Sequence, residues 1–173
     1  MNKALFLDRD GVINIRLVGA YVRKPSEFTL IDEILPLLRE ASKRGYKLIV
    51  ISNQQGVGKG LMTHDDLDAV HKHMQELLRA SGSPTIDAIY TCTDLAGTQS
   101  THRKPAPGML IDAMREHDVD PSMSWFVGDS RTDAQAGSAV GVHTALIGTF
   151  EQADADLVVQ THTALVEQLT ALL

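Results

Sequence analysis

The stretch Ala4-Leu5-Phe6-Leu7-Asp8-Arg9-Asp10-Gly11-Val12 decides how the rest of the chain is read. Four apolar residues in a row suit a short strand buried on both faces, and the run breaks at once into two carboxylates that flank an arginine. The same order recurs downstream. Lys47 to Ile51 ends in Ser52 and Asn53, Ile86 to Tyr90 forms a third apolar run, Trp125 to Val127 leads into Gly128 and Asp129, and His143 to Ile147 is a fifth.

Amphipathic segments lie between these runs. Ile34, Leu37, Leu38 and Ala41 share one helical face, with Asp32 as the expected N-cap and Gly45 as a stop. Thr63 with Asp66 three residues on predicts a capped helix whose apolar stripe is Leu67, Val70, Met74, Leu77 and Leu78, ordinary core rather than a cofactor box. Pro105 and Pro107 introduce a third helix, and residues 131–140 and 161–173 two weaker ones. Strands alternating with helices predict an α/β fold: a three-layer, Rossmann-like open parallel sheet with helices on both faces and a minimal cap. Residues 1–173 are read as one domain, in which 14–28 and 93–104 are irregular enough to be functional loops.

Composition narrows the function classes. The 173 residues are 43% hydrophobic and 22% charged, which is ordinary for a globular chain. Net charge is −6, with scattered lysines and arginines, so no broad basic surface is available for a nucleic-acid backbone and no nucleic-acid partner is expected. No run approaches the ~18–20 apolar residues of a membrane span, and the N-terminal apolar stretch reaches Asp8 too soon for a signal-peptide core. Cys92 is the only cysteine and cannot form an intrachain disulfide. The expectation is a cytoplasmic protein without a membrane partner, a monomer or small homo-oligomer.

Polar residues collect at the carboxyl ends of the expected strands, where open α/β sheets bind ligands: Asp8 and Asp10, Ser52 and Asn53, Lys104 before the third helix, and Asp129 with Asp133. Carboxylates placed together repel one another unless a cation neutralises them, and oxygen ligands without thiolate or imidazole select Mg²⁺. A hydroxyl, backbone N–H groups and a lysine are donors for phosphoryl oxygens, so a phosphorylated small molecule is the expected substrate. Asp8 is the candidate nucleophile, because a carboxylate can attack phosphorus directly. Asp10 suits the proton transfers to the leaving oxygen and from water. By themselves Asp-x-Asp, or Arg103 with Lys104, would read as solvated turn and surface residues; the joint pattern carries the assignment. Gly56-Val57-Gly58-Lys59-Gly60 fits neither common nucleotide-loop pattern and is expected to be a flexible turn, with Lys59 a candidate for a distal substrate phosphate. His71 and His73 point about 200° apart on a 3.6-residue helix, cannot chelate one ion, and are expected on the surface.

Asp8-Arg9-Asp10-Gly11-Val12, Ser52-Asn53-Gln54, Arg103-Lys104-Pro105 and Gly128-Asp129-Ser130-x-x-Asp133 resemble, in order and spacing, the four motifs of the haloacid dehalogenase superfamily of phosphatases. Ser52-Asn53-Gln54-Gln55-Gly56 followed by Lys59-Gly60, with Arg103-Lys104-Pro105-x-Pro107-Gly108-Met109, is most similar to its small-cap subclass of heptose bisphosphate and histidinol-phosphate phosphatases. The resemblance implies Mg²⁺ held by Asp8, the backbone carbonyl of Asp10 and Asp129. It further implies a phosphoryl group gripped by Ser52 and Asn53 and neutralised by Lys104, Arg103 on a substrate oxygen, and Asp133 supporting from behind. A heptose 1,7-bisphosphate that loses its 7-phosphate is the leading substrate, and histidinol phosphate the next. The zinc loop usual in that subclass is altered here: the corresponding positions are Cys92, Asp94, Ser100 and His102, so zinc is not expected, and only a weak ion could be held by Cys92, Asp94 and His102. The rival readings are a receiver-like phosphoacceptor signalling domain, which needs its aspartate after a later strand, and a nucleotide-dependent kinase, which needs a true phosphate loop.

Overall fold

In the computed structural model, which describes residues 1–173, six strands form one sheet: β1 (Lys3–Leu7), β2 (Tyr46–Asn53), β3 (Ala88–Cys92), β4 (Trp125–Gly128), β5 (His143–Ile147) and β6 (Leu157–Val159). Their order across the sheet is β3-β2-β1-β4-β5-β6, and every neighbouring pair is parallel. The helices are α1 (Leu35–Lys43), α2 (Gln55–Gly58), α3 (His64–Ala80), α4 (Gly108–His117), α5 (Arg131–Ser138) and α6 (His162–Leu172). This is the three-layer α/β architecture expected from the alternation of elements.

Strand alternation divides the core in two. Leu5 and Leu7 of β1 face a large apolar cluster with residues of α1, α3 and α6, while Ala4 and Phe6 face a smaller one with α4 and α5. Both faces of the central strands are therefore dry, which is why they read as unbroken apolar runs. The chain winds from β1 through β2 to β3 in one direction and from β4 through β5 to β6 in the other. Direction reverses between β1 and β4, so the loops leaving these strands diverge and open a crevice at their carboxyl ends.

Local chemistry explains most boundaries. Thr63 and Asp66 close a reciprocal capping box at the start of α3, as the sequence predicts. Asp32 does not cap α1: it opens a 3₁₀ turn (Asp32–Ile34), and the α-helix starts at Leu35 with Pro36 in its first turn. The third strand begins two residues later than the apolar run suggests. Both backbone groups of Ile86 are taken by the Gln75 side chain of α3, at 2.9 Å to its N–H and 2.8 Å to its carbonyl, and so are not available to the sheet. The glycine-rich stretch after β2 is ordered into the one-turn α2 rather than left as a flexible turn. No inserted cap domain is present: residues 14–28 and 93–104 contain neither β-strand nor α-helix, and a single 3₁₀ turn (Pro25–Glu27) interrupts the first. No helix is long and apolar enough to cross a membrane.

Phe126 of β4, 1% exposed, stacks edge-on against Phe6 at 6.4 Å between ring centroids in the smaller cluster. Phe126→Ala is expected to lower unfolding free energy by about 3–5 kcal/mol, the usual cost of deleting a buried ring, read as a lower urea midpoint with an unchanged slope.

Candidate active site

Lys104 stands at the centre of the crevice floor, with its side chain only 2% exposed. Its ammonium has three N–H donors and three acceptors around it: the Ile51 carbonyl of β2 at 2.8 Å, Asp8 Oδ1 at 3.1 Å and Asp133 Oδ1 at 2.6 Å. The backbone at Lys104 is fixed in turn by the Asn53 side chain, whose amide donates to the Lys104 carbonyl and whose oxygen accepts from its N–H, both at 3.1 Å. Asp133 also accepts from Ser130 N–H at 3.1 Å as part of the capping box that starts α5. One cation thus joins the ends of β1 and β2 to the start of α5.

Asp8 Oδ1 receives both Lys104 and the Arg9 N–H at 2.8 Å, and no hydrogen bond falls on Oδ2. Burial pushes the Asp8 carboxyl up to about 6, with Asp133 and Asp10 adding to the rise and Lys104 opposing it. Burial, with Asp8 beside it, raises Asp129 as well. One carboxylate oxygen from each of Asp8, Asp129 and Asp133 lies within 4.8 Å of the others. Three acids against the Lys104 ammonium and the largely exposed Arg16 leave the site short of positive charge, and the donors are all hard oxygens; the residues therefore fit a small divalent cation such as Mg²⁺. Asp133 is held by Lys104 and Ser130, whereas Asp8 Oδ2 accepts no hydrogen bond and Asp129 meets only the largely exposed Arg16, so Asp8 and Asp129 are the side chains better placed to ligate.

Glycines make this approach possible. Gly11 has φ +90°, and a Cβ there would run into the Asp129 carboxylate; a Cβ on Gly128 would collide with Asp133.

Asp10 sits in the opposite electrostatic setting. Arg9, wholly buried, donates from Nη2 to both Asp10 oxygens at 3.1 and 3.0 Å and to Gln54 Oε1 at 3.2 Å. Asn14 Nδ2 donates to Asp10 Oδ1 at 3.0 Å, and Gln54 Nε2 to Oδ2 at 2.8 Å. Burial alone would raise the Asp10 carboxyl, but the Arg9 charge and these bonds hold it below the ordinary value. Beyond Arg9 lies His71 of α3, whose Nε2 is 3.3 Å from Arg9 Nη1. His71 is thus not a surface residue: it is 9% exposed, and burial with the Arg9 charge pushes it down to about 4.

Above the floor opens a cavity of about 320 Å³ lined by Asp8, Asp10, Asn53, Lys104, Asp129 and Asp133, with Arg16, Tyr21, Gln55 and Arg103 among the residues at its walls. A chain 39% identical over 153 residues, covering 84% of this chain and 79% of the relative, is the D-glycero-alpha-D-manno-heptose-1,7-bisphosphate 7-phosphatase of Burkholderia mallei. A second, 36% identical over 84% of this chain and 83% of the relative, is the D-glycero-beta-D-manno-heptose-1,7-bisphosphate 7-phosphatase of Helicobacter pylori. The model of the HAD-hydrolase-like family matches residues 101–172. The chain belongs to the haloacid dehalogenase superfamily of phosphatases. Among solved structures, the D,D-heptose 1,7-bisphosphate phosphatase of B. bronchiseptica, complexed with magnesium and phosphate, is 29% identical and superposes with a TM-score of 0.86 over 99% of both chains.

The remaining sequence-predicted residues of this phosphatase are less uniformly placed. Ser52 is buried beneath the cavity with its hydroxyl accepting from Gln54 Nε2 at 2.9 Å. Arg103 reaches the cavity wall, held by Nη1 on the Asp94 carbonyl at 3.0 Å. Lys59 is outside the lining; its ammonium donates to Tyr21 Oη at 2.8 Å and so braces the 14–28 loop. Cys92 Sγ lies 3.6 Å from Ser100 Oγ, whereas His102 turns away to Asp112 at 2.9 Å on α4. The sequence reading overlooked Gln54, Asn14 and Arg16. Gln54 and Asn14 are uncharged and gave no signal beyond adjacency to the motifs, and the partner of Arg16 is 113 residues away.

The buried His71 makes stability pH-dependent. Below the ordinary histidine value of 6.5 the unfolded chain takes up a proton that the folded chain refuses until about 4, so stability is lost as pH falls through that window. The loss attributable to this group is about 3 kcal/mol at most, from the size of the shift. His71→Gln is expected to flatten the urea midpoint between pH 6.5 and 4 relative to the parent, with little change at pH 8.

Proposed function

We propose that this phosphatase hydrolyses a sugar phosphate, removing the 7-phosphate of D-glycero-D-manno-heptose 1,7-bisphosphate through a phosphorylated Asp8, with Mg²⁺ as cofactor. The observation that carries this reading is the two-sided environment of Asp8: Oδ1 is fixed by Lys104 and the Arg9 N–H, and Oδ2 is left without a donor at the floor of a polar cavity. The names of the Burkholderia mallei and Helicobacter pylori relatives support the substrate, and the magnesium and phosphate of the B. bronchiseptica structure support the cofactor.

Asp8, Asp129 and the Asp10 carbonyl would hold the cation, which supplies Lewis-acid neutralisation of the phosphoryl oxygens. An Asp8 Oδ2 lone pair attacks phosphorus as the bond to the sugar oxygen breaks, and Asp10 gives that oxygen its proton. Asp10 rests as a carboxylate under Arg9, Asn14 and Gln54. A phosphate dianion beside it raises its proton affinity, so substrate itself arms the acid. Asp10 then takes a proton from water as the water oxygen attacks phosphorus, the acyl-phosphate bond breaks and Asp8 is restored. Lys104, bonded to the Ile51 carbonyl and paired with Asp8 and Asp133, acts by its charge and by fixing Asp8. Asn53 and Arg103, on the cavity lining, are polar groups offered to phosphoryl and sugar oxygens, Ser52 beneath them holds Gln54, and Lys59 acts through Tyr21. Only Leu17, Ala20, Tyr21 and Val22 give the lining apolar character, which suits a small polar substrate.

Phosphate release from heptose bisphosphate, histidinol phosphate and simple sugar phosphates, with and without chelator, checks the assignment. Turnover should be highest on the heptose bisphosphate, vanish with EDTA and return with Mg²⁺. Asp8→Asn should cost at least about 10³-fold in kcat, as loss of a nucleophile does, with an unchanged circular dichroism spectrum. Parental turnover by Asp8→Asn would exclude the nucleophile, and preference for histidinol phosphate would exclude the sugar substrate.

A further inference from the structure

Arg16 is the first residue past the fixed base of the 14–28 loop, where Ile15 N–H bonds the Thr29 carbonyl at 2.9 Å and Ile31 N–H bonds the Ile13 carbonyl at 2.9 Å. Its guanidinium crosses to the phosphatase floor and donates from Nη1 to Asp129 Oδ2 at 3.0 Å. That is its only side-chain hydrogen bond, and the side chain remains 58% exposed. The contrast with other arginine pairs in the chain is instructive. Arg131 grips both oxygens of Asp154 through Nε and Nη2, each at 3.0 Å, and the buried Arg9 engages Asp10, Gln54 and His71 together. Arg16 has one bond, with most of its planar fork of donors unused.

The acceptor matters as much as the donor. Asp129 Oδ2 occupies the space a Gly11 side chain would need, and so is turned toward the loop leaving β1. A divalent ion shared by Asp8 and Asp129 would bind the same carboxylate that Arg16 holds, and its charge would repel the guanidinium there. Arg16 also lines the cavity in which an anionic substrate would lie.

We propose that Arg16 is a resident competitor for the divalent cation at Asp129, and that cation loading exchanges its partner from Asp129 to the anion bound in the same cavity. This rests on the metal and phosphate assignment above. The exchange costs little because a half-exposed, singly bonded ion pair is weak, and it ties the order of binding to charge: the guanidinium is released for the anion only after the cation has arrived.

The test is direct binding on the intact chain, with Mn²⁺ as a paramagnetic probe of the site and inorganic phosphate as the anion. Arg16→Gln should tighten Mn²⁺ by about fivefold, equivalent to about 1 kcal/mol, and weaken phosphate binding to the Mn²⁺-saturated protein by a similar factor; Arg16→Lys should fall between. Arg103→Gln removes the same charge from the same cavity without touching Asp129 and should tighten Mn²⁺ by clearly less. Unchanged or weaker Mn²⁺ binding in Arg16→Gln, equal tightening in Arg103→Gln, or undiminished phosphate binding would each overturn the exchange while leaving the proposed hydrolysis intact. Parental Mn²⁺ binding in Asp129→Asn would overturn both.

Discussion

Everything at the crevice floor is arranged around a buried ammonium. Lys104 is almost wholly buried, so its charge is tolerable only if acids meet it at short range, and Lys104 in turn offsets the charges of Asp8 and Asp133 there. Each partner comes from a different part of the sequence, and the Ile51 carbonyl supplies the last acceptor. Removing Lys104 would leave two buried carboxylates facing each other without a counter-charge, which is among the costliest defects a fold can carry. The same contacts that make the floor cohere also set the orientation of the Asp8 carboxylate.

Topology brings these residues together. Because winding reverses between β1 and β4, Asp8 and Asp129 leave neighbouring strands; Asp8 N–H bonds the Val127 carbonyl at 2.9 Å, extending the β1–β4 register to the edge of the site. The close approach requires missing side chains as well as present ones. Gly11 and Gly128 leave room for Asp129 and Asp133, so the two glycines are as much a part of the site's shape as the acids they admit.

Two aspartates two residues apart end in opposed settings. Asp8 faces other acids in a dry floor and is driven toward protonation, whereas Asp10 faces Arg9, Asn14 and Gln54 and is held ionised. Separation of proton affinities between neighbouring carboxyls is how one site assigns them different work. In the proposed reaction a divalent ion would cancel the penalty on Asp8, while the clamp on Asp10 fixes the direction in which it passes a proton. Arg9 and His71 form the layer behind that clamp, and His71 must stay neutral for Arg9 to be buried beside it.

The fold class and the gathering of the acids and lysine at the strand ends could be read from the sequence alone. These are written in local terms: unbroken apolar runs report strands buried on both faces, and Asp, Ser and Lys at their ends report a polar crevice. The capping box of α3 was equally legible because Thr63 and Asp66 are three residues apart. What required the tertiary structure was anything settled by pairing across the chain. His71 reads as a polar residue on an amphipathic helix until Arg9 is placed against it, and β3 reads two residues early until Gln75 is seen to occupy Ile86. Arg16 reads as a loop charge until Asp129 meets it from 113 residues away, and Lys59 as a cavity residue until Tyr21 takes its ammonium. Periodicity and spacing encode which face a side chain prefers; which partner waits on that face is decided only when distant segments close on one another.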